Sequence, residues 1–253
     1  MAGAAGIALP PVPATLIAPL RSALDLAFAL TAPDAIVIGG PTPDAAQAGN
    51  ARARLYVLHD AGWRQRVFRR FGPLACELVI NADTQTRRDL AEEAFRGRPA
   101  TAQLLASGAP SYDPLGRAGV LAAEARMLLA RGWKPVEAEI AWRKVQAAGC
   151  IEEARALAGR DLLGAELQLS RALEQMVDLA FAAAGRWLPA PEERSQALAQ
   201  FDRAAATLAE ACFHGYDFGA RLRAAERLAD RVIGSRVVAD WIGPREPAAS
   251  SGL

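Results

Sequence analysis

The sequence predicts an α/β domain followed by an all-α domain. In the first 80 residues, apolar runs of strand length and helix length alternate between turn residues, which is typical of a small mixed sheet with flanking helices. From Ala118 onward apolar residues recur at helical spacing without strand patterns, which indicates a helical bundle. We therefore expect domains at 14–112 and 113–242, with flexible ends at 1–13 and 243–253.

The elements of the first domain follow from the order of these runs. A helix is predicted over 14–30, strands over 35–40 and 53–60, a helix over 61–71 and a strand over 74–80. Asp83 suits the N-cap of a helix that runs to about Phe95. A short helix within 97–108 and a connector with room for a brief strand over 109–116 complete the domain.

The helices of the second domain are predicted from stripes of apolar residues that share one helix face. One stripe consists of Leu162, Leu169, Leu173, Met176 and Ala180, and the next of Leu198, Phe201, Ala205, Leu208 and Cys212. A last stripe consists of Leu222, Ala225, Leu228 and Val232.

Composition argues against several classes of function. The chain has 29 Lys and Arg against 28 Asp and Glu, so its net charge of +1 gives no overall attraction to nucleic acid or anionic membranes. The basic residues are almost all arginine, which together with abundant alanine indicates a GC-rich genome. Three widely spaced cysteines suggest neither a disulfide framework nor a zinc site and fit a reducing cytoplasm. With no signal-peptide pattern and no apolar run of ~18 residues, we expect a cytoplasmic protein.

One stretch of the first domain carries a candidate motif. The predicted strand at 35–40 ends in Gly39-Gly40, residues 41–51 form a turn-rich excursion, and Arg52-Ala53-Arg54 opens the second strand. This order resembles the minimal nucleotidyltransferase domain of the polymerase-β-like superfamily, which includes the aminoglycoside nucleotidyltransferases. Segments 97–132 and 186–194 are similar to helical regions of its bacterial members.

The resemblance implies a small nucleotidyltransferase-like sheet and also shows a departure from the family. The family pattern is a Gly-Ser turn, about ten residues, Asp-x-Asp on the second strand and a third carboxylate on a later strand. Here Gly40 stands at the serine position, Arg52 and Arg54 stand at the aspartate positions, and Glu77 stands at or near the third acid.

This departure bears on catalysis because Mg²⁺ needs oxygen ligands, whereas arginine stays protonated and does not ligate a metal. Arg52 and Arg54 are two residues apart on a strand and so point to one face, where they would attract phosphate or carboxylate. Two alternatives stay open: the arginines solvate a disused edge, or the register of the motif differs.

The resemblance, together with the arginines at its aspartate positions, thus implies a catalytically impaired nucleotidyltransferase-like protein that binds a partner or an anionic, nucleotide-like ligand. Gly39, Gly40, Arg52 and Arg54 are the candidate ligand-binding residues, and neither a metal site nor a cofactor is expected. A protein partner or a homodimer would also fit the long helices.

Two other functions compete with this one. An active nucleotidyltransferase would use Mg²⁺ and a nucleoside triphosphate, with Asp44, Asp60 and Glu77 as the available carboxylates and Glu77 as the catalytic candidate. Nucleic-acid binding by 63–71, where aromatics alternate with arginines, is a weaker alternative. For that segment we expect an amphipathic helix with its arginines in solvent.

Overall fold

The structure, a computed structural model, describes residues 7–40 and 51–234 of the 253-residue chain. Contacts divide the chain into two compact units, Met1–Arg131 and Gly132–Leu253. The first unit extends beyond residue 112 because a helix over 117–130 packs on the helix before it. Residues 1–6 and 243–253, which were expected to be flexible, and Asp44 lie outside the described residues. Ile7, within the segment predicted as a loose arm, is buried in the core of the first unit.

The first unit combines four helices and five strands among its described residues. The elements are α1 (Ala14–Leu30), β1 (Ala35–Gly39), β2 (Arg52–His59), β3 (Gln65–Phe71), β4 (Leu74–Ala82), α2 (Asp83–Arg96), α3 (Ala100–Ser107), β5 (Ala109–Tyr112) and α4 (Arg117–Ala130). The α/β class predicted from the sequence is confirmed, and so are the helix over 14–30 and the strands at β1, β2 and β4.

The five strands form one mixed sheet in the order β3-β4-β2-β1-β5. β2 and β4 run parallel, whereas the other neighbouring pairs are antiparallel. One face packs on α1 through residues such as Ile36, Leu55 and Leu78. The other face packs on α2, α3 and α4 through residues such as Val37 and Tyr56. Burial on both faces explains why β1 reads as a continuous apolar run rather than an alternating one.

The prediction of a helix over 61–71 is wrong, because residues Gln65–Phe71 form the edge strand β3. β3 pairs antiparallel with β4 from Gln65 opposite Ile80 to Phe71 opposite Leu74, which leaves Gly72 and Pro73 as a two-residue hairpin turn. Gly72 has a φ of +55°, a backbone conformation that favours glycine. Val67 and Phe71 pack on the core, whereas the other residues of β3 are exposed.

A smaller difference concerns the start of α2. Ala82 occupies the N-cap, and Asp83 is the first helical residue. The Asp83 carboxylate pairs with Arg87 one turn later at 2.6 Å instead of capping the helix. A carboxylate in the first turn still interacts favourably with the helix dipole.

The second unit is helical throughout its described residues, as predicted. Its elements are α5 (Glu137–Leu157), α6 (Leu162–Ala183), a short 3-10 helix (Pro191–Glu193), α7 (Arg194–Phe201), α8 (Arg203–His214) and α9 (Phe218–Val232). The core joins Leu169, Leu173 and Met176 of α6 to residues from the other helices, but Leu162 is exposed and does not belong to the buried stripe. Among the described residues, every helix is too short or too polar to cross a membrane.

The apolar stripe predicted to run from Leu198 to Cys212 lies on two helices rather than one. The break falls at Asp202, whose carboxylate accepts a hydrogen bond from the backbone N–H of Ala205 at 2.9 Å and so caps α8. Arg231 of α9 pairs with the same carboxylate at 2.8 Å.

Candidate functional site

The Gly39-Gly40 pair holds the end of β1 close to the start of β2. Gly39 lies opposite Arg54 in the antiparallel register. Gly40 has a φ of +66°, and a Cβ at this position would lie 2.8 Å from the carbonyl oxygen of Arg52. Both the backbone conformation and the close approach require glycine at position 40. The structure therefore brings the candidate glycines and arginines together at one end of the sheet.

Arg52 and Arg54 share a sheet face with the third candidate, Glu77. The parallel register of β2 and β4 places Ala75 beside Arg52 and Glu77 beside Arg54. Arg54 Nε donates a hydrogen bond to Glu77 Oε2 at 2.6 Å. A carboxylate of β4 is thus paired with a guanidinium of the neighbouring strand β2.

The edge strand β3 adds side chains that the sequence interpretation did not assign to this site. Arg66 Nη1 lies 3.7 Å from Glu77 Oε1, so Glu77 sits between two guanidiniums with only 12% of its side chain exposed. The register places Phe68 opposite Glu77 and Arg70 opposite Ala75 on the same face. The signal that could have revealed them was the Gly72-Pro73 pair between two apolar residues, which marks a hairpin.

We call this surface the arginine face. It consists of Arg52, Arg54, Arg66, Phe68, Arg70, Ala75 and Glu77. These residues carry four guanidiniums and one carboxylate, so the face is positive although the whole chain is nearly neutral. Within the described part of the chain, neither Arg52 nor Arg70 has a carboxylate partner, whereas Arg54 and Arg66 share Glu77.

The donor set on this face does not fit a Mg²⁺ site. Glu77 is the single carboxylate there, and in residues 7–40 and 51–234 no three His, Cys, Asp or Glu side chains come together as metal ligands. A hard dication needs several oxygen ligands and is repelled by neighbouring guanidiniums.

Asp60, a carboxylate considered for an active enzyme, lies at the opposite end of β2. It follows Arg54 by six residues, which is roughly 20 Å along the strand direction. Its carboxylate pairs with Arg117 at 3.0 Å, and this hydrogen bond lowers the pKa of Asp60. Asp60 and Glu77 therefore do not serve one metal ion.

A pocket of about 340 Å³ adjoins the arginine face. Its lining consists of Arg64, Gln65, Arg66, Val79, Asn81 and Asp89. Asn81 Nδ2 donates to the Tyr56 hydroxyl and to Asp89, each at 2.9 Å, and the Tyr56 hydroxyl donates to Thr86 Oγ1 at 3.1 Å. Burial raises the pKa of Tyr56, so the Tyr56 hydroxyl in this network stays protonated and uncharged at neutral pH. These pairings hold α2 against β2 and β4.

Comparison with known proteins supports the fold. No protein-family profile matches the chain, and no curated protein matches it. The chain is similar to the 1.90 Å crystal structure of a nucleotidyltransferase-like protein from Exiguobacterium sibiricum 255-15, with a TM-score of 0.50 and 12% sequence identity. The similarity covers 86% of this chain and 74% of that one. The protein therefore has an α/β fold, followed by a helical region, like that of a nucleotidyltransferase-like protein.

Proposed function

We propose that this protein is a nucleotidyltransferase-like protein that has lost metal-dependent transfer and binds an anionic, nucleotide-like ligand on the arginine face. The observation that carries the proposal is the ion pair of Arg54 with Glu77. Where the family pattern has carboxylates that ligate a metal, this chain has a guanidinium whose partner is the remaining carboxylate. Such a pair neutralises Glu77 without a metal.

The arginines favour an anion for two reasons. Arg52 lacks a carboxylate partner among the described residues, and Arg54 is 45% exposed, so donor groups of both remain open to a ligand. A guanidinium also offers a planar pair of N–H donors that matches phosphate or carboxylate oxygens.

The test is binding of inorganic triphosphate by calorimetry in the presence of EDTA. We expect Arg52→Ala and Arg54→Ala each to weaken binding about tenfold, since a hydrogen bond to a charged group contributes about 1.5 kcal/mol or more. Arg69→Ala is the matched control, because Arg69 pairs with Cys76 in the register and points to the opposite face. Unchanged binding in the variants at 52 and 54 would refute the assignment.

A second measurement tests the loss of transfer. The protein is incubated with Mg²⁺ and a nucleoside triphosphate, and pyrophosphate release is followed. We expect no sustained turnover. Turnover that disappears in Glu77→Gln would instead establish an active nucleotidyltransferase.

A further inference from the structure

Phe68 is an aromatic side chain in an unusual place. It lies on the edge strand β3 with 73% of its surface exposed, while its neighbour Val67 packs on the core. Its register partner is Glu77, so the ring lies on the arginine face rather than at a chain end or loop. No role in the core accounts for it, because the apolar contacts of β3 come from the opposite face of the strand.

Two arginines lie near Phe68 on the same face of the sheet. Arg70 and Arg52 stand on either side of Ala75, on strands that are two spacings or roughly 10 Å apart. The side chain of Ala75, between them, is only a methyl group. Because neither arginine has a carboxylate partner among the described residues, both retain their donors for an oxyanion.

We propose that the ligand of the arginine face is a nucleotide whose base stacks on Phe68 and whose phosphate binds between Arg52 and Arg70. The inference rests on the proposed function and extends its site to β3. Phe68 and Arg70 are two residues apart, roughly 7 Å along the strand, a separation that one nucleotide spans. An inorganic phosphate would use the arginines and leave the aromatic ring without a partner.

The charge of β3 disfavours the other obvious occupant, a second copy of the chain. Pairing of two β3 edges would bring the exposed Arg66, Arg69 and Arg70 of both copies together. Like charges on neighbouring strands are destabilising, and charged side chains on an edge strand oppose such pairing. A nucleotide has the opposite charge and complements the same residues.

The experiment compares ATP with inorganic triphosphate, both in EDTA. We expect Phe68→Ala to weaken ATP binding about tenfold and to leave triphosphate binding unchanged, since base–aromatic stacking contributes about that much. Arg70→Ala should weaken both ligands, and Phe68→Trp should retain ATP binding. Phe95→Ala is the matched control, because Phe95 is also an exposed phenylalanine, with 61% of its surface exposed, and it lies on α2.

Each outcome bears on a distinct claim. If the wild type binds triphosphate and ATP alike and Phe68→Ala changes neither, the nucleotide inference is overturned while the anion site stands. If the wild type binds neither ligand, the proposed function fails and the inference fails with it. A wild-type dimer that dissociates in Phe68→Ala, measured by light scattering, would show that the face is a subunit interface and would overturn the inference.

Discussion

Glu77→Gln separates the two explanations of the arginine face because they predict changes of opposite sign. The substitution keeps the size and shape of the side chain and removes the one negative charge between Arg54 and Arg66. A metal-dependent enzyme would lose a ligand and hence its nucleotide binding. A metal-free anion site would lose a repulsive charge and release Arg54 for the ligand.

The size of the expected gain follows from the geometry. A phosphate bound by Arg54 would lie about 5 Å from the Glu77 carboxylate, where two unit charges repel by about 0.8 kcal/mol in water and about 3 kcal/mol at an effective dielectric constant of 20. The face is open, so we take a value near 1 kcal/mol, which is about a fivefold tighter Kd for triphosphate. The same change removes a partly exposed ion pair, and we expect it to cost about 1 kcal/mol or less of folding stability.

The assay is calorimetric titration in EDTA at low ionic strength, repeated at higher salt. Salt should reduce both the affinity and the gain, because the interacting charges are partly exposed. Glu92→Gln is the control, since Glu92 is 64% exposed on α2 and its ion pair among the described residues is with Arg96 in its own helix. Weaker binding in Glu77→Gln, with binding that depends on Mg²⁺ in the wild type, would refute the metal-free site.

Three further predictions concern the scaffold. Gly40→Ala should destabilise the protein by about 1–3 kcal/mol in urea denaturation, because the left-handed backbone and a 2.8 Å contact with a β2 carbonyl oxygen oppose a side chain. The hydrogen bond from Arg231 lowers the pKa of Asp202 in the folded state. The pair therefore stabilises the fold fully above the unfolded-state pKa of about 3.9. This stabilisation is lost as the pH falls through the lower folded-state pKa. Asp202→Asn should therefore be less stable than the wild type at pH 7, with a difference that shrinks towards pH 3 in denaturation midpoints. Burial raises the pKa of Cys76 to about 12 and also raises the pKa of Cys150. The two thiols differ in access, because Cys76 is buried and Cys150 is only half-buried. Ellman's reagent at pH 8 should modify Cys150 first and Cys76 only after unfolding.

The parts of the site that depend on local sequence were predictable. Strand alternation places Arg52 and Arg54 on one face wherever β2 lies in the sheet. Two adjacent glycines after an apolar run indicate a strand that ends in a backbone conformation unfavourable for other residues, and Gly40 has such a conformation, with a φ of +66°. The pairing of Arg54 with Glu77 was not local, because it depends on the register of β2 against β4.

The parts that were missed depend on pairing between strands. The segment from Trp63 to Phe71 has apolar residues that satisfy helical spacing, and arginine favours helices, so its local pattern predicts a helix. Its backbone hydrogen bonds to β4 and the partial burial of Val67 and Phe71 on the core outweigh that preference. Phe68, Arg66 and Arg70 consequently reach the site only in the folded sheet.

The sequence by itself determined the order of most elements, the glycine pair at the end of β1 and the two arginines, Arg52 and Arg54, that share one face of β2. These follow from residue type and short spacing, which the chain carries before it folds. The tertiary structure decided that Glu77 neutralises Arg54 and that β3 extends the positive face. Both depend on which strands become neighbours and in which register, and that is set by long-range burial on the two faces of the sheet.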